Sequence, residues 1–240
     1  MIIAGEIKNI FEWYAKAGPK DKETQWKVDH SALEFANLVL DTNFEKDIKV
    51  NILDKLSINQ NVLFAIPEQI TKLDDFKGGH RNHDLVLYSE NEIEKIVICF
   101  EAKVNEDFDM LLKKKWEEGN KPGSQIHNRI KNIITSLWQT TDIFSFEDLK
   151  YQLLTGLYGT IKFAEQLNIK KCVFCIYQIE IDKNTKIEKT EKEIIKLLDA
   201  FHIEEKVMNN SLYGPILINS EIELYISYLT RKKIKTKCNY

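Results

Sequence analysis

The hydrophobic positions follow two periods along the chain. Helical spacing joins Ile7, Ile10, Phe11 and Tyr14 within 6–18, then Leu33, Phe35, Ala36, Leu38, Val39 and Leu40 within 31–42, then Ile126, Ile130, Ile133, Ile134 and Leu137. Each set predicts a helix with one apolar face. Ser31 followed by Glu34 has the form of a capping box, which places the N-cap at Ser31. Further helices are predicted over 106–118, over 149–167, in TEKEIIKLLDAFH and near 220–230. Gly156 and Gly159 lower the helix propensity of 149–167, so close packing is expected at both. Aliphatic and β-branched runs predict strands at 61–66, 84–88, 95–103 and 171–180. Pro67 is expected to end the first of these, and SENEIE to join the second and third as a hairpin. DDFKGGHRNH, with its glycine pair, is expected to be a loop.

That order predicts an α/β or α+β fold built on a mixed sheet of four to five strands flanked by helices. No linker divides the 240 residues, so a single domain is expected over 1–240. Its core would lie at about 26–180, with a helical extension over about 188–240. A formal charge of −3 signals no nucleic-acid partner globally, although patches rather than totals govern such binding. No apolar run approaches the roughly 20 residues of a membrane span, and MIIAGEIKNIFEWYAKAG lacks the pattern of a secretory leader. A cytoplasmic protein without a membrane partner is therefore expected. Cys172 and Cys175 form a C-x-x-C, but in a strand they point to opposite faces, which suits core packing better than zinc or redox chemistry.

The hairpin HDLVLYSENEIEKIVICFEAKV carries the candidate chemistry. Period-two alternation puts Glu101 and Lys103 on one face, and pairing across the turn brings Asp84 to the same corner of the sheet. Two converging carboxylates repel unless something positive joins them, and a hard cation does so well. Mg²⁺, for which Mn²⁺ can substitute, binds through one or two carboxylates and leaves positions for phosphate oxygens. Lys103 would then orient or deprotonate a water, or stabilise developing negative charge.

HDLVLY…VICFEAKV is similar to the signature of the PD-(D/E)XK nuclease superfamily, in which an acid on one strand precedes acid-x-Lys on the next. Asp84, Glu101 and Lys103 match those positions, while His83 stands where the signature has proline. WKVDHSALEFANLVL, EAKVNEDF and YQLLTGLYGTIKFAEQLNIKKCVFCIYQI further resemble an uncharacterised bacterial family of that superfamily, over residues 26–180. The resemblance implies a restriction-endonuclease-like core and a Mg²⁺-dependent nuclease that hydrolyses phosphodiester bonds, with DNA as partner. Restriction or defence against phage enters only by analogy. Cleavage of both strands with one site per chain would call for a homodimer.

Residue by residue, the resemblance implies metal binding by Asp84, Glu101 and Glu34, although Glu34 could simply cap its helix. It implies a supporting or nucleic-acid-contacting role for Gln152. His80, Arg81 and His83 would reach a phosphate or else lie on a solvated turn. Lys113, Lys114 and Lys115 would line the approach or form a solvated face, and the basic run RKKIKTK would be a phosphate-binding tail or a frayed end. The alternative reading is a non-catalytic nucleic-acid-binding or assembly module with the same fold, in which an acid or the lysine is usually lost.

Overall fold

Two strands, β4 (Lys95–Lys103) and β5 (Lys171–Glu180), are apolar on both faces, and they form the centre of the sheet. They belong to a computed structural model that describes residues 1–19, 21–59, 63–91, 94–181 and 187–233. The architecture is α+β: a seven-stranded mixed sheet with helices against both faces. In chain order the elements are β1 (Ile2–Ile3), α1 (Ile10–Ala17), α2 (Lys22–Gln25), α3 (Ser31–Val39), α4 (Phe44–Ile48), β2 (Phe64–Lys72) and β3 (His80–Glu90). After β4 come α5 (Leu112–Glu118), α6 (Ile126–Trp138) and α7 (Tyr151–Gln166). After β5 come α8 (Ile187–Ala200), β6 (Ser211–Ile218) and β7 (Ile222–Lys232). The strand order is β1-β2-β3-β4-β5-β7-β6, parallel at β1–β2, β4–β5 and β5–β7 and antiparallel elsewhere.

Each face of the sheet has its own core. On one side α6, α7 and α8 bury Ile130, Ile134, Leu154, Ile161 and Leu197 against Val97, Cys99, Cys172 and Phe174. On the other, α1, α3 and α4 bury Trp13, Phe35, Phe44 and Ile48 against Phe100, Cys175 and Tyr177. Cys172 and Cys175 thus sit in different cores. A β-carbon at Gly156 would lie 2.4 Å from Phe174 Cζ, and one at Gly159 would lie 2.8 Å from His83 Nε2. The two glycines let α7 approach the sheet closely, and this seating brings the start of α7 over the end of β4.

Several expectations are corrected. The sheet has seven strands, not four to five, because the C-terminal region joins it. The helix expected near 220–230 is β7, where Ile222, Leu224, Ile226 and Tyr228 alternate onto one face in a sequence rich in β-branched and aromatic residues. β7 pairs with β5 from Lys171↔Glu223 to Glu180↔Lys232, so among the described residues the extension is helical only in α8. Pro67 does not end its strand. β2 is covered on its outer side only at Phe64 and Ala65, so from Ile66 onward it is an edge, where proline is tolerated. β3 starts at His80 rather than at 84, which takes His80, Arg81 and His83 off the loop. The N-cap of α3 is His30, not Ser31. The helix expected over 106–118 is confined to α5. No helix among the described residues is long and apolar enough to cross a membrane. Of the basic run RKKIKTK, residues 234–237 lie outside the described residues.

Candidate active site

Alternation along β3 breaks at Asp84. Leu85 and Leu87 belong to the α3-side core and Val86 to the α7-side core. Strict period two would put His83 with Leu85, yet its ring lies against Gly159 of α7. The β3–β4 register starts only at Leu85↔Phe100, and beyond it the Asp84 carboxylate accepts the Ala102 N–H at 2.6 Å. The break thus frees a side-chain oxygen to take over the ladder.

On β4, Glu101 and Lys103 face α7. Gln152, in the first turn of α7, holds both: its Nε2 donates to Glu101 Oε1 at 2.7 Å, and its Oε1 accepts from Lys103 Nζ at 3.1 Å. The same oxygen accepts the Asp109 N–H at 3.1 Å. Lys103 Nζ also lies 3.0 Å from Glu101 Oε1 and 5.1 Å from the centre of the Phe108 ring. The Arg81 guanidinium pairs with Glu101 from β3. Asp84, Glu101, Lys103 and Gln152 line one cavity of about 330 Å³, together with Glu68, Asn82 and Glu106.

Burial dominates the electrostatics. It raises the Asp84 carboxyl above its ordinary range, against the Ala102 N–H, Arg81 and Lys103, while Glu106 adds to the rise. Burial lowers the Lys103 ammonium, with Arg81 in the same direction and Glu106 and Asp84 opposing. Glu68 is pushed up to about 7 by burial and by the charge of Asp84, against a hydrogen bond from Asn82. A buried lysine inclined to lose its proton, beside carboxyls inclined to keep theirs, is suited to moving a proton.

A family model for a domain of unknown function (DUF6946) matches residues 6–233. The chain belongs to this family. No curated protein and no solved structure matches it. The DUF6946 match runs from before α1 to the end of β7, so it includes strands β2 to β7 and every residue lining the cavity.

Not all the residues singled out in the DUF6946 chain meet at the cavity. Glu34 is turned away: its Oε1 accepts from Lys233 Nζ at 2.7 Å and from the Asp29 N–H at 2.9 Å, while Ser31 and Ala32 of the same helix do line the cavity. Glu34 therefore ties the helix start to the end of β7. His83 is fully buried and cannot reach a phosphate in solvent. His80 and Arg81 line a neighbouring cavity instead. Lys113 is paired with Asp148 at 2.7 Å and Lys114 is exposed, whereas Lys115 of the same helix lines that second cavity. Sequence reasoning missed Glu68. Pro67↔Leu85 and Gln69↔His83 place Glu68 opposite Asp84, and its positive φ of 50° marks a local irregularity in β2. The available signal was the acid directly after Pro67, readable only if the strand continues past the proline.

Two titrations act on stability with opposite signs. Burial and then the charge of Arg81 hold the His83 imidazole well below its ordinary 6.5, with the Gly159 backbone opposing. Its contribution is present above about pH 6.5 and is lost as pH falls, at up to about 1.4 kcal/mol per pH unit. Glu68, raised from 4.5 to about 7, contributes below 4.5 and loses that contribution as pH rises through about 7. In a Glu68→Gln background, urea midpoints are expected to drop between about pH 7 and pH 5, and to drop less when His83→Gln is added. Equal drops in the two proteins would contradict a neutral, buried His83.

Proposed function

We propose that this protein is a metal-dependent nuclease that hydrolyses phosphodiester bonds, with DNA as the first substrate to test. The observation that carries the reading is the convergence of Asp84, Glu101 and Lys103 on one cavity, with Gln152 bridging the last two. The order α3, β2–β3–β4, α7, β5, with α4 before β2 and α5 and α6 before α7, supports a restriction-endonuclease-like core, whose pattern is helix, three strands, helix and strand.

The residues present fit a hard cation. Asp84 and Glu68 are carboxyls whose protonation is favoured by burial, a cost that a cation would remove. Oxygens of Asp84, Glu101 and Glu68 would hold it. When bound, Mg²⁺ acidifies a water and offsets charge building on the phosphate. Lys103 Nζ would take a proton from the attacking water or give one to the leaving group, and Gln152 fixes where Nζ stands. Arg81 neutralises Glu101 in the resting site.

Metal binding must displace the protons that burial favours. Apparent Mn²⁺ affinity, measured by titration calorimetry, is therefore expected to rise between about pH 6 and pH 8, and Glu68→Gln is expected to flatten the rise. A wild-type affinity independent of pH would count against Glu68 as a ligand.

The functional test incubates the protein with plasmid, linear duplex, single-stranded DNA and RNA in Mg²⁺, Mn²⁺ or EDTA. Cleavage that needs the metal and vanishes in Asp84→Asn supports the proposal. No cut substrate, or cutting that survives EDTA, overturns it. A second reading, a non-catalytic module of the same fold, draws on one observation. Glu101 is occupied by Arg81, Lys103 and Gln152.

A further inference from the structure

A second cavity, of about 380 Å³, adjoins the carboxylate cavity and shares Asn82, Asp109 and Gln152 with it. Both volumes fall near the lower end of ligand sites, about 300–1,000 Å³. Their chemistry differs. The first is lined by Glu68, Asp84, Glu101 and Glu106 with Lys103. The second is lined by His80, Arg81, Lys115 and Arg129, and Asp109 is its one acid.

Three features make this second cavity a built site rather than a patch of surface lysines. Arg129 is buried and held rigidly, its Nε donating to Asp74 Oδ2 at 2.7 Å and its Nη2 to Asp74 Oδ1 at 3.2 Å. A β-carbon at Gly79 would lie 2.6 Å from Arg129 Nη2, so glycine is what admits the guanidinium beside the strand entry. Arg81, which joins the two cavities through its pair with Glu101, has a buried Nε with no hydrogen-bond partner among the described residues. Finally, the sixteen-residue α7 begins here without a side-chain cap, and Tyr151, Gln152 and Thr155 of its first turns line the cavity. The positive end of the helix dipole therefore adds to the arginines. Lys115 also lines the cavity, paired with Glu118 at 2.8 Å in a partly exposed contact that an incoming anion can replace.

We propose that this cavity is a phosphate subsite for the nucleotide next to the bond attacked, so that the substrate is a polynucleotide strand rather than a small phosphodiester. The proposal rests on the nuclease reading for what occupies the first cavity. An acidic compartment and a basic one sharing a wall match a strand that presents one phosphate to the cation and the next to arginine and lysine. Contacts to the second phosphate set register and carry no sequence information.

The test reads binding without cleavage, so the two proposals can fail separately. A short fluorescein-labelled DNA oligonucleotide is titrated in EDTA by anisotropy across a range of salt. Lys115→Ala is expected to weaken binding about tenfold and to lower the salt slope by about one. Lys115→Arg should recover most of the loss. Lys131→Ala, on the exposed side of α6 and outside both cavities, should bind like wild type. Thermal midpoints equal to wild type show that the variants fold. In metal, Lys115→Ala should raise KM on the oligonucleotide more than on bis(p-nitrophenyl) phosphate. Oligonucleotide binding by Lys115→Ala as tight as by wild type, or a loss no greater than for Lys131→Ala, overturns the subsite. If nothing is cleaved while Lys115→Ala still loses binding as described, the nuclease reading falls and the cavity stands as a phosphate site for a polynucleotide strand.

Discussion

Lys103→Met is expected to leave the fold in place and to slow phosphodiester cleavage by about 10³-fold, within the range for removal of one positioned proton-transfer group. Lys103 lies almost wholly inside the protein, with its ammonium near the Phe108 ring and in contact with Glu101 and Gln152. Methionine retains much of the apolar stem and the volume. Glu101 keeps Arg81 and Gln152, so no buried carboxylate is left without a partner. What disappears is an ammonium whose proton affinity burial lowers and which stands beside the carboxylates. Single-turnover rates in Mg²⁺ measure the effect, with kcat expected to fall and KM to change little. A variant that cuts within tenfold of wild type would remove Lys103 from the chemistry.

Phe100→Ala is expected to cost about 3–5 kcal/mol of folding stability. Phe100 is fully buried at the meeting point of α3, α4 and β5. Its ring centroid lies 5.8 Å from that of Phe35, 5.9 Å from Phe44 and 6.5 Å from Tyr177. Three aromatic neighbours fixed on different elements cannot all collapse into the space of a lost ring, so most of the cavity term remains. Against a total of about 5–15 kcal/mol, such a loss leaves the protein marginal. Urea unfolding at neutral pH should show a lower midpoint with an unchanged slope. A loss under about 1 kcal/mol would mean that the α3 side repacks freely.

The hairpin was legible because period two needs no tertiary information. Glu101 and Lys103 share a face in any strand, and Asp84 follows from the turn. The helix 149–167 was legible in its apolar pattern, and its glycines proved to be the points where α7 meets Phe174 and His83. Other features depended on neighbours. Pro67 ends a central strand but not an edge, and only the two-residue length of β1 makes β2 an edge there. Glu68 was lost with that boundary. Glu34 lies in the stretch the resemblance favoured, but the direction of its carboxylate is set by Lys233, nearly two hundred residues away in sequence. His83 was misplaced because β3 starts at His80 rather than at 84, which puts His83 in the strand with its ring against α7. β6 and β7 were hidden because a half-buried terminal strand and an amphipathic helix differ little over a short apolar segment.

The Arg81–Glu101 pair has a consequence for how this site meets ions in solution. Arg81 belongs to β3 and Glu101 to β4, adjacent strands of one hairpin, so the guanidinium cannot diffuse away. The carboxylate always faces a tethered competitor whose effective concentration is fixed by covalent structure and unaffected by dilution or chelators. An arriving divalent ion therefore contends with an occupant as well as with water. On the proposed reading, the metal concentration at which the site would fill is raised by the strength of that internal pair, and the hairpin itself would set the threshold.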